Sequence, residues 1–281
     1  MIAVCPNPFR DLDLDLTRRC CDLLEEAGFE TAVCPVFADE EPEVLPSDLS
    51  YRKISEISGD CSLAVVIGGD GTILSVVRQL RSESIPMLGV NLGTKGFMAN
   101  LEPEEIEQVV KAARGEYRLS RRMMLEVELQ RQGQVICRDH ALNDIVLHGY
   151  GDCIGMTTYC DGERVSQFSG DGIILSSPTG STGYSMSAGG PIVEPEAENI
   201  IISPICPHVM GARTFVLDPQ RTVRVTAERL HGRRAYLAVD GISVADLAGG
   251  DQVIVRRSPH HTLMADLGQK SFYEIAYEKL R

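Results

Sequence analysis

The sequence predicts an amino-terminal α/β domain followed by a mainly β domain. Through residue 117, apolar runs typical of strands alternate with helical patterns, which implies a parallel sheet covered by helices. After that point the apolar period changes from near 3.6 residues to 2, and Asp-Gly pairs typical of hairpins appear. We expect domains over residues 1–117 and 118–258, with residues 259–281 docking back on the first domain.

The elements of the first domain follow the order of a Rossmann-like α/β fold. The predicted strands cover residues 2–5, 31–36, 63–67 and 87–90. One helix is expected over residues 12–27 with Gly28 as its stop, and a second over residues 72–80. A third begins at Pro103 and ends at Gly115, with acidic residues in its first turn, where the helix dipole favours them. Residues 39–50, rich in proline and acidic residues, predict an exposed mobile loop.

The second domain is predicted from alternation and turn chemistry. Leu125, Val127 and Leu129 alternate with polar residues, which is typical of a half-buried strand. Further β-rich runs cover residues 223–226, 235–239 and 252–255, and the candidate hairpin turns are Gln132-Gly133, Asp161-Gly162 and Asp240-Gly241. Apolar positions near the end of the chain predict a short amphipathic segment that docks on the first domain.

Composition excludes several classes of protein. A formal net charge of −13 argues against nucleic-acid binding, because neutralising phosphates needs a basic face. We find no signal-peptide pattern and no apolar run of membrane-spanning length, and therefore expect a cytoplasmic protein that binds no membrane. Nine cysteines without a Cys-x-x-Cys pair favour reduced thiols over a disulfide framework or a zinc site.

The strongest local motif is an apolar strand that runs into Gly68-Gly69-Asp70-Gly71-Thr72, after which a helical pattern begins at once. Glycines at the carboxyl end of a strand let a phosphate approach the backbone, and the following helix start offers N–H donors. A carboxylate there repels polyphosphate unless a cation or a proton-accepting role offsets the repulsion. The alternative is an ordinary tight turn, in which Asp and Gly are favoured anyway.

Two further motifs suit a polar ligand. Residues 171–185 run from an apolar strand into a loop dense in hydroxyls and glycines, which offers donors to sugar hydroxyls or phosphates without any lysine. The alternative, a solvated linker, fits less well because the segment continues into a packed turn over residues 187–192. Asn143-Asp144 precedes a strand and suits an adenine or amide edge, although such residues also begin strands as turn residues.

Together these motifs resemble the NAD kinase family. The resemblance rests on the glycine–aspartate motif, on Asn143-Asp144, on the signature of residues 171–192, and on two further stretches, residues 91–97 and 204–208. It covers the chain from about Leu63 to Gly241. It implies a phosphotransferase with an alcohol group as acceptor, which transfers the γ-phosphoryl of ATP to the adenosine ribose 2′-hydroxyl of NAD and gives NADP. It also implies Mg²⁺ bound through ATP, with no metal ligand from the protein, and a homodimer or homotetramer.

The resemblance assigns roles to individual residues. Asp70 would contact the 2′-hydroxyl and accept its proton, and Phe97 would lie near the adenine. Gly68, Gly69 and Thr72 would face the donor phosphates. The residues that would line the dinucleotide site are Asp70, Gly71, Phe97, Asn143, Asp144, Asp171, Thr179, Thr182, Gly183, Tyr184, Ser185 and Ser187.

Several positions depart from the family pattern. Ser169 stands where Arg is frequent, and Ile242 follows Asp240-Gly241 where Gln is common. Lys95 replaces an apolar residue, Asn100 replaces Asp, and Gly183 replaces the common Ala. Within the family a neutral residue at the position of Ser169 accompanies tolerance of NADH, so NADH is a second candidate acceptor.

Two other classes compete with this interpretation. A non-catalytic dinucleotide sensor would follow if the departures at Ser169 and Ile242 mark decay of the site. A lipid kinase would share a similar glycine–aspartate motif, but such kinases lack the signature of residues 171–187, and no basic amphipathic stretch here suggests a membrane surface.

Overall fold

A computed structural model describes residues 1–37, 44–80, 85–93, 96–99, 101–209 and 211–280. The chain divides into two compact units, one of Met1–Arg121 with Thr262–Arg281 and one of Arg122–His261. Residues 39–43 of the predicted loop lie outside the described residues, as do Lys95 and Asn100.

Six α-helices and sixteen strands are found in the described residues. The helices are α1 (Asp15–Glu26), α2 (Ile54–Ile57), α3 (Asp70–Leu80), α4 (Val109–Ala113), α5 (Tyr184–Ser187) and α6 (Phe272–Lys279). The strands are β1 (Ile2–Pro6), β2 (Thr31–Val33), β3 (Leu63–Gly68), β4 (Met87–Asn91), β5 (Arg118–Arg131), β6 (Gln134–Ala141), β7 (Asp144–Gly149), β8 (Ile154–Cys160), β9 (Glu163–Gly170), β10 (Gly172–Ser176), β11 (Ile200–Ile205), β12 (Phe215–Leu217), β13 (Val223–Ala227), β14 (Ala235–Val239), β15 (Ile242–Leu247) and β16 (Gln252–Asp266). Short 3₁₀ helices cover Leu12–Leu14, Ser58–Asp60, Pro103–Gln108 and Thr179–Thr182.

The first unit is built on a parallel sheet in the order β2-β1-β3-β4. Every residue of β1, β3 and β4 is buried, as expected for parallel strands covered on both faces. The end of the chain returns to this unit, where Met264 of β16 pairs in parallel with Met87 of β4. The carboxyl ends of β1, β3 and β4 therefore lie side by side at one edge, where ligands of open α/β sheets bind.

The second unit contains a six-stranded antiparallel sheet in the order β12-β11-β10-β7-β14-β15. Separate antiparallel pairings join β5 to β6, β13 to β8 and β16, and β8 to β9. Alternate residues of these strands point into one core, which includes Leu125, Val127 and Leu129 of β5. The predicted α/β and mainly β fold classes are confirmed.

The predicted hairpin turns are confirmed. Both residues of each turn have positive φ, for example 47° at Asp240 and 80° at Gly241. Such a pair matches the twist of a two-residue hairpin, and Asp or Gly adopts it at low cost. The turns at Gln132-Gly133 and Asp161-Gly162 have the same conformation.

Three element boundaries were wrong. The strand expected over residues 31–36 ends at Val33. The first helix begins at Asp15 rather than at residue 12, because Asp13 and Leu14 have positive φ and the Asp11 carboxylate accepts the N–H groups of Leu16 and Thr17. The last long strand, β16, runs well beyond residue 255 to Asp266. In the described residues no helix is both long and apolar enough to cross a membrane.

Candidate active site

The glycine–aspartate motif lies where β3 ends and α3 begins, as the sequence predicts. Thr72 holds the turn closed, since its Oγ1 accepts the Gly69 N–H at 3.3 Å and the Asn7 Nδ2–H at 3.3 Å. A Cβ at Gly68 would lie only 2.3 Å from that Oγ1. Gly68 is therefore required by the packing of Thr72.

The other two glycines of the motif are not explained by protein neighbours. A Cβ built at Gly69 or Gly71 meets no atom within 4 Å, and neither residue has positive φ. Glycine at such a position makes room for a molecule that approaches the backbone closely. This edge of the sheet can therefore accept a phosphate or a sugar against the main chain.

Asp70 is the first residue of α3 and its carboxylate is held by a loop of the same unit. Its Oδ2 accepts the Phe97 N–H at 2.7 Å, and its Oδ1 accepts the N–H groups of Met98 at 3.0 Å and Ala99 at 3.2 Å. Because each carboxylate oxygen has two lone pairs, Oδ2 keeps one acceptor position beyond these bonds. The carboxylate is therefore oriented before any substrate arrives and can still accept one hydroxyl.

In the second unit, Asp240 shapes the segment that carries Asn143 and Asp144. Its Oδ1 accepts the N–H groups of both residues, at 2.7 and 3.0 Å, and its Oδ2 accepts that of Leu142 at 2.8 Å. The Asp240 N–H donates in turn to the Asp144 carbonyl at 2.9 Å. The β14–β15 turn thus fixes the start of β7.

Residues 171–185, the hydroxyl-rich segment, also pack against the start of β7. The Ser177 N–H donates to the Asn143 carbonyl at 2.9 Å, and the Ser177 hydroxyl donates to the Leu142 carbonyl. A Cβ at Gly180 would lie 2.1 Å from the Asn143 carbonyl oxygen. Gly180 therefore allows the 3₁₀ turn of residues 179–182 to approach Asn143.

Buried polar atoms without partners collect in this region. Among the described residues, the buried side-chain oxygens that lack a hydrogen bond are those of Asn143, Ser176 and Thr179 here, and that of Thr158 elsewhere. Leaving such an atom unpaired costs about 1–3 kcal/mol. Three atoms of this kind in one region suit a polar ligand that would satisfy them.

Burial raises the pKa of two carboxyl groups in this region, those of Asp144 and Asp240. The pKa of Asp144 is raised to about 7, first by burial and then by the negative charge of Asp240. The pKa of Asp240 is raised by burial to about 6, although the three N–H groups that it accepts oppose that shift. Asp144 can therefore be protonated near neutral pH and donate a hydrogen bond to a ligand.

The remaining predicted residues of the second unit occupy different environments. Tyr184 and Ser187 are exposed and available to a ligand, and Thr182 donates to the Thr179 carbonyl at 3.3 Å. Ser185 is buried and its hydroxyl is hydrogen-bonded to that of Ser203 at 2.9 Å. Gly183 has room for a Cβ, whose nearest neighbour would be 3.4 Å away.

Asp171 lies beside the thiol of Cys206, to which the sequence alone assigns no role. The Cys206 thiol donates a hydrogen bond to Asp171, and this contact raises the thiol pKa. Ser169 and Ile242, two of the positions that depart from the family pattern, are both exposed.

Three residues of these sites were missed by the sequence interpretation. Asn7 follows β1 and bonds Thr72, so its position at a neighbouring strand end is the signal that would have found it. Asp240 was recognised only as a turn residue, and nothing local indicates that its carboxylate bonds to residues 142–144. Met98 orients Asp70 through its backbone N–H, which no side-chain pattern reveals.

In the part of the chain that the structure describes, no group of three or more His, Cys, Asp or Glu side chains is placed to hold a metal ion.

The fold and the two sets of residues define a nucleotide-binding α/β plus β protein with a preoriented carboxylate beside a phosphate-accessible turn. Two family models match the chain: the ATP-NAD kinase N-terminal domain over residues 2–116 and the ATP-NAD kinase C-terminal domain over residues 142–267. The chain therefore belongs to the ATP-NAD kinase family and is a kinase that phosphorylates NAD with ATP.

Individual relatives agree with this assignment. The chain is 34% identical over 286 residues to the NAD kinase of Acetivibrio thermocellus, covering 99% of this chain and 96% of the relative. It is 41% identical over 222 residues to that of Geobacter sulfurreducens, covering 78% of each.

Two solved structures share the fold. Yeast NADH kinase in complex with NADH superposes with a TM-score of 0.88 at 25% identity, covering 99% of this chain and 86% of that one. An NAD kinase from Archaeoglobus fulgidus in complex with ATP superposes with a TM-score of 0.77 at 26% identity, covering 100% and 99%.

Proposed function

We propose that Asp70 is the catalytic carboxylate of this NAD kinase. The observation that carries the proposal is the arrangement of three backbone N–H groups on its carboxylate, which leaves one acceptor position on Oδ2. The ribose 2′-hydroxyl of NAD donates to Oδ2. The 2′-oxygen then attacks the γ-phosphorus of ATP, the bond from that phosphorus to the bridging oxygen breaks, ADP leaves, and the hydroxyl proton passes to Oδ2.

Phosphoryl transfer depends more on alignment than on a strong base. A carboxylate is a weak base for a sugar hydroxyl, so the proton moves late in the reaction. Asp70 then acts chiefly by holding the 2′-oxygen in line with the γ-phosphorus.

We propose that the turn after β3 binds the phosphates. The open space over Gly69 and Gly71 supports a close approach of phosphate or ribose to the main chain. Gly68 and Thr72 act by keeping the turn closed, because Thr72 fills the space over Gly68 and bonds the Gly69 N–H. This division of labour explains how an acidic chain recognises an anion with backbone dipoles.

The dinucleotide is bound, in this proposal, by polar residues of the second unit. The unpaired oxygens of Asn143 and Thr179 and the protonatable Asp144 supply acceptors and a donor. The family signature assigns six more residues of the second unit to this set: Asp171, Thr182, Gly183, Tyr184, Ser185 and Ser187. From the first unit it assigns Gly71 and Phe97. Asp240 supports them by fixing the start of β7.

Magnesium enters this proposal only with the donor. A divalent cation bound to ATP would neutralise part of the phosphate charge, which a chain of net charge −13 does not do by itself.

The domain boundaries near residues 117 and 259 are also proposals, supported by the division of the chain at Arg121 and Thr262. A cytoplasmic location and a homodimer or homotetramer rest on the sequence and family resemblance alone.

NADH is a second candidate acceptor. The neutral, exposed Ser169 places no cation at the position where the family often has Arg, and the chain shares its fold with a yeast enzyme solved with NADH. The family resemblance associates a neutral residue at this position with tolerance of NADH.

The activity is tested by incubating the purified chain with NAD, ATP and MgCl₂ and measuring NADP with an NADP-specific dehydrogenase. We expect NADP that depends on ATP and is abolished by EDTA. A dinucleotide sensor would instead bind NAD, measured by calorimetry, and form no NADP. Lipid kinase activity would appear as phosphorylation of diacylglycerol in place of NAD.

A further inference from the structure

The carboxyl-terminal helix packs on the loop that orients Asp70. The rings of Phe272, the first residue of α6, and Phe97 have centroids 6.5 Å apart and are tilted by 49°. Phe97 is also the residue whose N–H donates to Oδ2 of Asp70. One aromatic contact therefore connects the end of the chain to the proposed catalytic carboxylate.

The position of Phe272 is fixed by local hydrogen bonds. Asp266 Oδ1 accepts the Gly268 N–H at 2.9 Å, in a turn where Gly268 has φ of 72°. A capping box follows, in which Ser271 Oγ accepts the Glu274 N–H at 3.2 Å and Glu274 Oε2 accepts the Ser271 N–H at 2.7 Å. These bonds fix the start of α6 independently of the contact between Phe272 and the loop.

Residues 96–99 and Leu101 are also supported by the sheet. The Leu101 N–H donates to the Gly89 carbonyl at 3.1 Å, and the Asn91 N–H donates to the Leu101 carbonyl at 2.8 Å. A Cβ at Gly89 would lie 2.7 Å from Ala99 Cα, so the loop rests directly on β4. These contacts fix the end of the loop at Leu101, whereas Phe97 at its other end packs against Phe272.

We propose that Phe272 is a positioning residue for phosphoryl transfer, which holds Phe97 so that the backbone N–H groups of residues 97–99 orient the Asp70 carboxylate. This inference rests on the proposed role of Asp70. The effect of Phe272 on the carboxylate passes through Phe97, whose ring it contacts and whose N–H donates to Asp70. A short carboxyl-terminal helix would thereby set the alignment of the reacting hydroxyl.

The kinetic test compares Phe272→Ala with Leu280→Ala, which removes an exposed apolar side chain just after the same helix. Loss of alignment in Phe272→Ala should lower kcat about 10-fold, with the KM for ATP changed by less than about twofold. Leu280→Ala should keep the wild-type kcat. Phe272→Leu, which retains an apolar side chain, should recover most of the activity and serves if the alanine variant does not fold.

A second measurement reports on the loop and does not depend on enzymatic activity. Hydrogen exchange of the peptide that contains residues 96–101 should be faster in Phe272→Ala than in wild type, and unchanged in Leu280→Ala. In an Asp70→Asn background, Phe272→Ala should change kcat by less than about twofold, because two residues that act through one interaction are not additive.

The outcomes separate this inference from the proposed function. Wild-type kcat and wild-type exchange in both Phe272 variants would overturn the positioning role, while a deeply impaired Asp70→Asn would still support the role of Asp70. An equal loss from Phe272→Ala in both backgrounds would also overturn it. Wild-type activity in Asp70→Asn would instead overturn the proposed function.

Discussion

Asp70 combines three fixed hydrogen bonds with one remaining acceptor position on Oδ2. A carboxylate on an exposed loop would lose conformational entropy when it bound a hydroxyl, whereas this one is already ordered. The same bonds join Asp70 to the loop of Phe97, so the proposed base and the predicted adenine contact belong to one local structure. At the scale of the residue, the protein orients the Asp70 carboxylate through backbone hydrogen bonds.

The neutral Ser169 leads to a prediction about the acceptor. Because the family resemblance associates a neutral residue at this position with tolerance of NADH, we expect NADH to be phosphorylated as well as NAD, with kcat/KM for NADH within about 10-fold of that for NAD. Rates with each dinucleotide under the same ATP concentration measure the ratio. Ser169→Arg should shift it further toward NAD, and undetectable phosphorylation of NADH by the wild type would contradict the idea.

The raised pKa of Asp144 leads to a prediction about stability. Its folded pKa of about 7 lies above the usual 3.8, so its stabilising contribution is complete below about pH 4 and is lost as pH rises through 7. The free energy of unfolding of Asp144→Asn, minus that of the wild type, should therefore rise by a few kcal/mol between about pH 5 and pH 8. Urea unfolding at both pH values measures it, and a difference independent of pH would show that Asp144 titrates normally.

The turns and the turn-like active-site segments are the elements in which sequence and structure agree best. The Asp161-Gly162 and Asp240-Gly241 hairpins were predictable because positive φ at both residues is a local preference of Asp and Gly. The break at the glycine–aspartate motif was predictable for another reason, since an apolar strand pattern ends at the glycines and a helical pattern begins at once, although no residue of the motif has positive φ.

Elements set by distant contacts could not be predicted. The start of α1 depends on the Asp11 carboxylate and on positive φ at Asp13 and Leu14, a conformation that is rare for Leu. Asp240 bonds to an N–H group 98 residues away in sequence, and Phe272 meets Phe97 from the far end of the chain. Such pairings arise only when the strands have taken their places in a sheet.

The glycine at the start of α3 gives a test that separates stability from activity. A methyl group at Gly71 meets no protein atom, so Gly71→Ala should stabilise the fold by about 0.4–1 kcal/mol through the unfolded state. The same methyl group would obstruct a ligand against the backbone, and kcat/KM should fall at least about 10-fold. Gly59→Ala, in a 3₁₀ helix of the same unit with equally open space, should leave the kinetics unchanged. Unaltered kinetics in Gly71→Ala would show that no ligand approaches there.

Two glycines of the hydroxyl-rich segment form a matched pair. Gly180→Ala would place a Cβ 2.1 Å from the Asn143 carbonyl, so it should lower Tm and raise the KM for NAD sharply. Gly183→Ala meets its nearest atom at 3.4 Å and should keep both values near wild type. Thermal unfolding and steady-state kinetics of the two variants decide, and equal behaviour of the pair would contradict the packing described for this segment.

On the scale of the whole molecule, a chain with a formal net charge of −13 has to bind polyphosphates. The proposal answers the net charge of −13 with backbone N–H groups at the turn after β3 and with a cation that accompanies ATP. The turn and Asp70 belong to the first unit, and the unpaired buried oxygens of Asn143, Ser176 and Thr179 belong to the second. Neither motif alone would have distinguished this kinase from others that share a glycine–aspartate turn.

The most direct test of the account is the kcat for NADP formation by Asp70→Asn relative to the wild type. Asn keeps the size of the side chain, and its Oδ1 can still accept the N–H groups of Met98 and Ala99. Its amide nitrogen replaces the oxygen that accepts the Phe97 N–H, and it cannot take the hydroxyl proton. We expect kcat to fall by roughly 10²–10⁴, with the circular dichroism spectrum of the wild type and a lower Tm that still leaves the variant folded at the assay temperature. A folded Asp70→Asn enzyme with kcat within a few-fold of the wild type would contradict the central role of Asp70.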